Sequence, residues 1–521
     1  MGVEQWFLSR AERGNSATRL ARAWSEGNEV HALVHGAAYF AELVAAIRRL
    51  EPADLLLFTD WRGDPDERLD GPGTEVSRMI ADAARRGVLV RGLIWRSHLD
   101  RFQFSEQENR HLGDEIEQAG GRCLLDMRVR PGGSHHQKLV VLRHPGRPEL
   151  DVAYVGGIDL CHSRRDDEEH GGDPQRQPMS ARYGPNPPWH DIQLAVRGPA
   201  VGDLETVFRE RWDDPAALTA NPVHRLRDRL QHEDTKAAPL PPQQPDPPTR
   251  ACQTVQVLRT YPNRIRAGYP FAPHGERSVA RGYFKALSRA RELIYLEDQY
   301  LWSRDVAEPF ARALADNPAL RLIAVLPRFP DQDGRLSLPP NLVGRIEAMR
   351  MLAEAGGDRV AVYGVENHAG VPVYVHAKVC IIDDVWACVG SDNLNRRSWT
   401  HDSELACAVM DQPDPGSHQA RGASEGFASG LRIELAREHL DGPDEEELSK
   451  PLAMYDAFAR SAARLDAWYA AGCRGPRPPG RLRTYGIPYL SRWTRLWAGA
   501  LYRVVYDPDG RPAGQRRRRE Y

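Results

Sequence analysis

Two short stretches of this 521-residue chain carry the same two side chains at the same spacing: His136 and Lys138 in HHQKLVVL, and His376 and Lys378 in VHAKVCII. Each pair leads into an apolar run of strand character, where alternation puts both side chains on one face. One such pair is commonplace. Two pairs converging on one point would suit a phosphodiester: the ammoniums neutralise the anion, one imidazole attacks phosphorus, and the other protonates the leaving oxygen. Lysine usage sharpens the case. Of 70 basic residues only five are lysines: Lys138, Lys236, Lys285, Lys378 and Lys450. A chain that uses Arg almost everywhere keeps Lys in both motifs, where a compact charge on a thin stem fits a tight site that a planar fork does not.

The elements that must position these pairs form a repeat. The proline-rich stretch TKAAPLPPQQPDPPTR at 235–250 reads as an extended linker between comparable halves. Each half opens with an amphipathic helix carrying a Tyr-Phe pair, AAYFAELVAAIRRL and RGYFKALSRA, followed by an apolar strand ending in acidic and aromatic residues. A helix and strand follow in both, then the His/Lys strand, then YVGGIDL in the first half and CVGSDNL in the second. Four correspondences in one order predict a duplicated α/β unit, its layered sheet covered on both faces. Related by a pseudo-twofold axis, the halves would bring the two pairs together. The predicted organisation is 1–234 for the first half, 235–252 for the linker, 253–450 for the second half and 451–521 for a basic, aromatic C-terminal extension.

At these motifs the chain resembles the phospholipase D superfamily, whose signature is HxKxxxxD in two copies. The second copy matches fully with His376, Lys378 and Asp383, while the first has Arg143 in place of the Asp. Asp383 lies an odd number of residues from His376, so on a strand it faces away from the site and holds a turn. HHQKLVV, YVGGIDLCHSRRD, PWHDIQLAVRGPA, RERW and IYLEDQY resemble phospholipases D that act on phosphatidylcholine. The resemblance implies two homologous α/β/α sandwich halves with the active site at their interface. It implies hydrolysis of phospholipids to phosphatidate and free headgroup, or transfer to a primary alcohol, with no metal or cofactor required. It gives His136 the attack that forms a phosphohistidine and His376 the protonation of the leaving group. It makes Asp191 and Glu404 the carboxylates that orient the histidines. Gly156, Gly157 and Asp159, and Gly390, Ser391 and Asn393, follow the two His/Lys strands. Gly admits a phosphate close to the backbone, and Ser or Asn donates to its oxygens. Asn393 is the stronger phosphate contact of the two sets, whereas anionic Asp159 suits a structural or water-linked role. Trp189, Tyr300 and Trp302 are candidates for an acyl or headgroup pocket.

Composition bounds the remaining readings. Seventy basic residues against 72 acidic give a net charge of −2, so no global field draws the chain to nucleic acid. No stretch reaches the roughly 20 apolar residues of a membrane span. The first residues lack a basic-then-apolar leader, and seven cysteines without a CxxC pair argue against a disulfide framework or a Cys-rich zinc site. The expectation is a cytoplasmic protein, peripheral to membranes, with the phospholipid surface as its partner and no protein partner indicated. His135, His136, His162 and His190 are candidate metal ligands by residue type, but no HExxH-like spacing supports them and a Lys beside each motif His repels a cation. Competing functions are a phosphatidyltransferase of the cardiolipin-synthase kind, a nucleic-acid phosphodiesterase and a non-catalytic lipid-binding scaffold. Finally, residues 473–521 hold twelve Arg and three acids, and Trp493, Trp497, Leu501 and Val504 recur at near-helical spacing among Arg492, Arg495 and Arg503. That pattern fits a helix lying on an anionic bilayer.

Overall fold

The computed structural model describes the chain apart from residues 1, 15–18, 98–105, 232, 234, 265–267, 413–425 and 443–444. Eighteen strands are described. Those of the first half are β1 (Ser25–Val34), β2 (Leu55–Asp60), β3 (Leu89–Trp95), β4 (Arg122–Asp126), β5 (Leu139–Arg143), β6 (Val152–Gly156), β7 (Trp189–His190) and β8 (Ile192–Arg197). The second half contributes β9 (Gln253–Tyr261), β10 (Glu276–Arg277), β11 (Leu293–Asp298), β12 (Arg321–Val325), β13 (Val360–Val365), β14 (Tyr374–Val375), β15 (Lys378–Ile382), β16 (Trp386–Gly390), β17 (Glu404–Asp411) and β18 (Leu482–Thr484).

The two halves share one continuous sheet. Its order from one edge is β18-β13-β12-β11-β15-β16-β17-β9, then β1-β8-β6-β5-β2-β3-β4. Read outward from the β9–β1 seam, both halves show the same sequence of equivalent strands, which is the duplication expected from the repeat. The outer strands are parallel, as helical crossovers require, and the inner ones antiparallel. Alternation along each strand feeds two layers. In β2, Leu55 and Leu57 enter a core shared by both halves, whereas Leu56 and Phe58 face the helices Gly36–Arg48 and Val76–Arg85. In β15, Val379 and Ile381 join the shared core, and Cys380 and Ile382 pack against the second half's other helical layer.

Two segments are more firmly attached than their composition suggests. The proline-rich linker is extended, but carbonyls of Ala238, Pro241 and Pro245 accept from Trp212 Nε1 at 2.8 Å, Arg209 Nη1 at 2.8 Å and Arg143 Nη2 at 2.6 Å. Prolines offer no N–H, so side chains of the first half supply the bonds that a strand neighbour would. After residue 450, the helix Pro451–Ala470 buries Met454, Phe458 and Leu465, and β18 adds itself to the sheet beside β13. The helix Arg492–Leu501 buries only Ala498 and Gly499 and packs with Tyr502 against Trp302 and Val343.

Candidate active site

The halves meet at two short pairings related by the same pseudo-symmetry. β14 runs parallel to β7, with Val375 opposite His190, and an isolated parallel bridge joins His135 to Ser403. In each, the residue before a motif histidine lies beside the residue before a carboxylate of the other half. The amides of His376 and His136 donate to the carbonyls of His190 and Ser403, at 2.8 and 2.9 Å. The pairing therefore fixes a crossed arrangement. His376 Nδ1 donates to Asp191 Oδ2 at 2.6 Å, and His136 Nδ1 donates to Glu404 Oε2 at 2.9 Å. Sequence reading named both carboxylates but not which histidine each serves. With Nδ1 committed to a carboxylate, Nε2 of each ring is the nitrogen left for chemistry, as a lone pair in an attacking ring and as the proton carrier in a general acid.

The surroundings differ between the two rings. His376 is enclosed by Trp189 and Tyr374, with ring centroids 4.9 and 6.3 Å away. Burial first, then Lys378, holds its pKa down to about 3 despite Asp191. Lys378 Nζ lies 2.9 Å from His376 Nδ1 and bonds the His376 carbonyl, so two groups approach one ring nitrogen. The shorter contact, to Asp191, is the one a carboxylate acceptor makes stable, and burial lowers the Lys378 pKa to about 8. Against the upward push of burial, His376 and Lys378 keep the Asp191 carboxyl at about 2. His136 is more open, its side chain 15 % exposed. Lys138 Nζ donates to the His136 carbonyl at 3.0 Å, lies 3.3 Å from Asp159 Oδ1, and sits over the Trp61 ring.

The glycine- and serine-bearing loops after β6 and β16 serve the carboxylates. A Cβ on Gly157 would lie 2.2 Å from Asp191 Oδ1, so the missing side chain makes room for that carboxylate. The equivalent Ser391 donates from Oγ to Glu404 Oε2 at 2.6 Å. Asp159 pairs with Lys138 rather than lining a phosphate cradle, and burial and then Asp159 push the pKa of its neighbour Asp60 up. Asn393 is buried, and its Oδ1 has no hydrogen-bond partner among the described residues. Asp60 and Asp298, at the ends of equivalent strands, hold these loops by accepting from the amides of Leu160 at 2.9 Å and Leu394 at 2.8 Å. Neither was singled out from the sequence, where the only signal was an apolar strand ending in an acid. Arg164, also missed, lies 4.0 Å above the Trp189 ring and adds a buried cation beside the site.

The aromatic candidates divide. Trp189 walls His376, whereas Trp302 is buried against Val343, Ala498 and Tyr502, which corrects its reading as a pocket lining. Tyr300 packs against Trp302 with the rings tilted and their centroids 4.1 Å apart. Asp383 accepts from the amides of Arg291, Glu292 and Leu293 at 2.6 to 2.9 Å, holding the entry to β11. Arg143, its counterpart in the first motif, is fully buried between Asp151 and Glu205. Of the histidines weighed as a ligand set, His135 sits beside Asp126 and Gln137, His162 beside surface Asp66, and His190 in a separate cluster described below.

A duplicated sheet that presents two carboxylate-oriented His/Lys pairs at its seam defines a two-histidine phosphoryl-transfer architecture. The chain belongs to the phospholipase D superfamily. Residues 121–308 match the family model described as Phospholipase D, and residues 283–420 match that described as Cardiolipin synthase, PLD-like domain. Phospholipase D alpha 1 of Arabidopsis thaliana is 26% identical over 82% of this chain and 66% of its own length. Phospholipase D alpha 2 of rice is 24% identical over 81% of this chain and 65% of its own length. This chain thus spans slightly less than two thirds of either relative. Among solved structures, phosphatidylserine synthase of Haemophilus influenzae Rd KW20 shares the fold, with a TM-score of 0.50 at 12% identity over 85% of this chain and 94% of that one.

Proposed function

We propose that the chain is a phospholipase D-type phosphodiesterase that cleaves phospholipids such as phosphatidylcholine to phosphatidate and free headgroup. The observation that carries this reading is the crossed pair of oriented imidazoles, each with a lysine two residues away. One imidazole attacks phosphorus through Nε2 and forms a P–N bond as the P–O bond to the headgroup breaks. The other gives its proton to the departing oxygen, then takes one from water or a primary alcohol, which displaces the phosphohistidine. Family resemblance assigns the attack to His136. Lys138, Lys378 and Arg164 counter the phosphate charge, and the amide nitrogen of Asn393 is the group there that would donate to a phosphate oxygen. The plant relatives named phospholipase D support the lipid substrate, and the membrane surface is the partner this reading requires. No helix among the described residues is long and apolar enough to cross a membrane.

Purified protein with phosphatidylcholine vesicles and a primary alcohol tests the proposal. Choline release together with phosphatidyl-alcohol supports it, and turnover confined to a nucleic-acid diester would overturn it. The family model over residues 283–420 favours one alternative, a phosphatidyltransferase. In that case the same assay yields transfer product with almost no phosphatidate, even when water is the more abundant acceptor.

A further inference from the structure

We propose that His35, His170, His190 and Glu438 form a buried binding site for a divalent transition-metal ion of the zinc class. One ligand atom from each lies within 4.8 Å of the others. His35 Nε2 is 2.8 Å from Glu438 Oε2, and His170 Nε2 and His190 Nδ1 are 2.9 and 3.2 Å from Glu438 Oε1. A tetrahedral ion bonded at 2.0–2.1 Å holds its donors about 3.3 Å apart, close to this spacing. The rings meet edge to face, His35 lying 4.9 Å from His170 and 5.0 Å from His190 by centroid. All three imidazoles are buried, so water does not satisfy them.

The outer layer is that of a metal site as well. A metal-bound imidazole typically donates its other N–H to a carboxylate, which fixes the tautomer. His190 Nε2 does so to Glu297 Oε2 at 2.5 Å, and Glu297 is itself bonded by His439 Nε2 and the Tyr295 hydroxyl. His170 Nδ1 faces Asp166 Oδ2 at 3.6 Å. Without an ion, one carboxylate, Glu438, would have to accept from three imidazoles while His190 bridged two acids. An ion resolves this crowding, because each ring then offers a lone pair inward, and His190 and His170 keep their protons for Glu297 and Asp166. Three histidines and one glutamate with nitrogen and oxygen donors suit Zn²⁺ better than Ca²⁺ or Mg²⁺.

Position gives the site a consequence. His35 precedes the helix Gly36–Arg48, His170 lies in the long loop 160–188, His190 ends β7, and Glu438 belongs to the helix Phe427–Leu440. An ion there would tie both halves together one residue from Asp191. Four protein ligands leave no open position, so the role is structural rather than catalytic.

The test is metal content of the purified full-length chain, which does not depend on any lipid activity. The expected result is about one zinc-class ion per chain, retained in His136→Asn and lost in His170→Asn/Glu438→Gln. Chelation should lower the thermal midpoint, and Zn²⁺ should restore it in the wild type. Should the double variant not fold, Co²⁺ added to chelated wild type must give the visible spectrum of a tetrahedral His/Glu site. A chain that retains no ion after Zn²⁺ supply and shows no midpoint shift would overturn the proposal and leave a hydrogen-bonded proton network. Equal metal content in the double variant would overturn it by placing the ion elsewhere.

Discussion

Each motif histidine depends on a carboxylate from the opposite half, and that dependence can be measured. His136→Asn and His376→Asn should each reduce turnover by at least ~10²-fold, the low end of what positioned proton transfer contributes. Retention of more than about a tenth of the rate by either would dismiss a shared site. The crossing itself calls for double-mutant cycles on unfolding free energy. His136→Asn with Glu404→Gln should couple by roughly 0.5–3 kcal/mol, whereas His136→Asn with Asp191→Asn should add. The reverse pattern would refute the assignment of partners. The four His and Lys positions were legible because the same short pattern occurs twice at matching places, and the two carboxylates were named through the family resemblance. The crossing was not, since it depends on which strand entries meet across the seam. Gly157 was read as room for a phosphate because glycine marks any close approach; what approaches is Asp191.

Among elements, Arg143 explains why the first motif tolerates losing its Asp. Asp383 holds a turn through three backbone amides, a task that the equivalent turn of the first half does not set. Arg143 instead neutralises Asp151 and Glu205 and clasps the linker through Pro245. Restoring the motif with Arg143→Asp should therefore destabilise the chain by about 3–5 kcal/mol, because it removes one partner of buried ion pairs and adds a further acid. An unchanged denaturation midpoint would contradict this. The turn that carries Ser403 supplies a second case. Burial, then Arg397, lowers the His401 pKa to about 4 although Asp402 opposes the shift. A folded pKa below the unfolded value of about 6.5 gives stability that is full above 6.5 and lost as pH falls toward 4. His401→Gln should thus lose less stability than wild type between about pH 7.5 and about pH 5, by about 1–2 kcal/mol. Parallel urea titrations at the two pH values decide it. The repeat and its strand order followed from apolar periodicity, whereas the linker's attachment did not, because a proline run records only what its own backbone cannot bond.

Across the whole molecule, the C-terminal segment bears on how a lipid would reach the seam. Its inner face is part of the structure: Tyr502 packs on Trp302, Asp507 accepts from the Arg397 amide at 2.8 Å, and Tyr521 meets Trp399 edge to face. Its outer face is bare, with Trp493 81 % and Val504 74 % exposed beside exposed Arg492 and Arg503. The helical stripe of the sequence was thus legible, but periodicity does not say which face meets the core. Here small Ala498 and Gly499 pack inward and the large apolar residues point out. Arg397 links this segment to the site rim, donating to the carbonyls of Tyr506 and of Gly132, four residues before His136. An aromatic, cationic face at that rim suits contact with a bilayer that contains anionic lipid. Deleting the segment would remove rim contacts along with the surface, so substitution is the cleaner test. Leu496 is exposed on the same helix, and Trp493→Ala/Leu496→Ala/Val504→Ala should weaken binding to anionic vesicles by roughly tenfold or more through the apolar area lost, while sparing hydrolysis of a short-chain soluble phospholipid. Removing Arg492 and Arg503 should cost about 1 kcal/mol each at low salt and less as salt rises. Vesicle binding that survives both sets of changes would assign the membrane contact to another face of the protein.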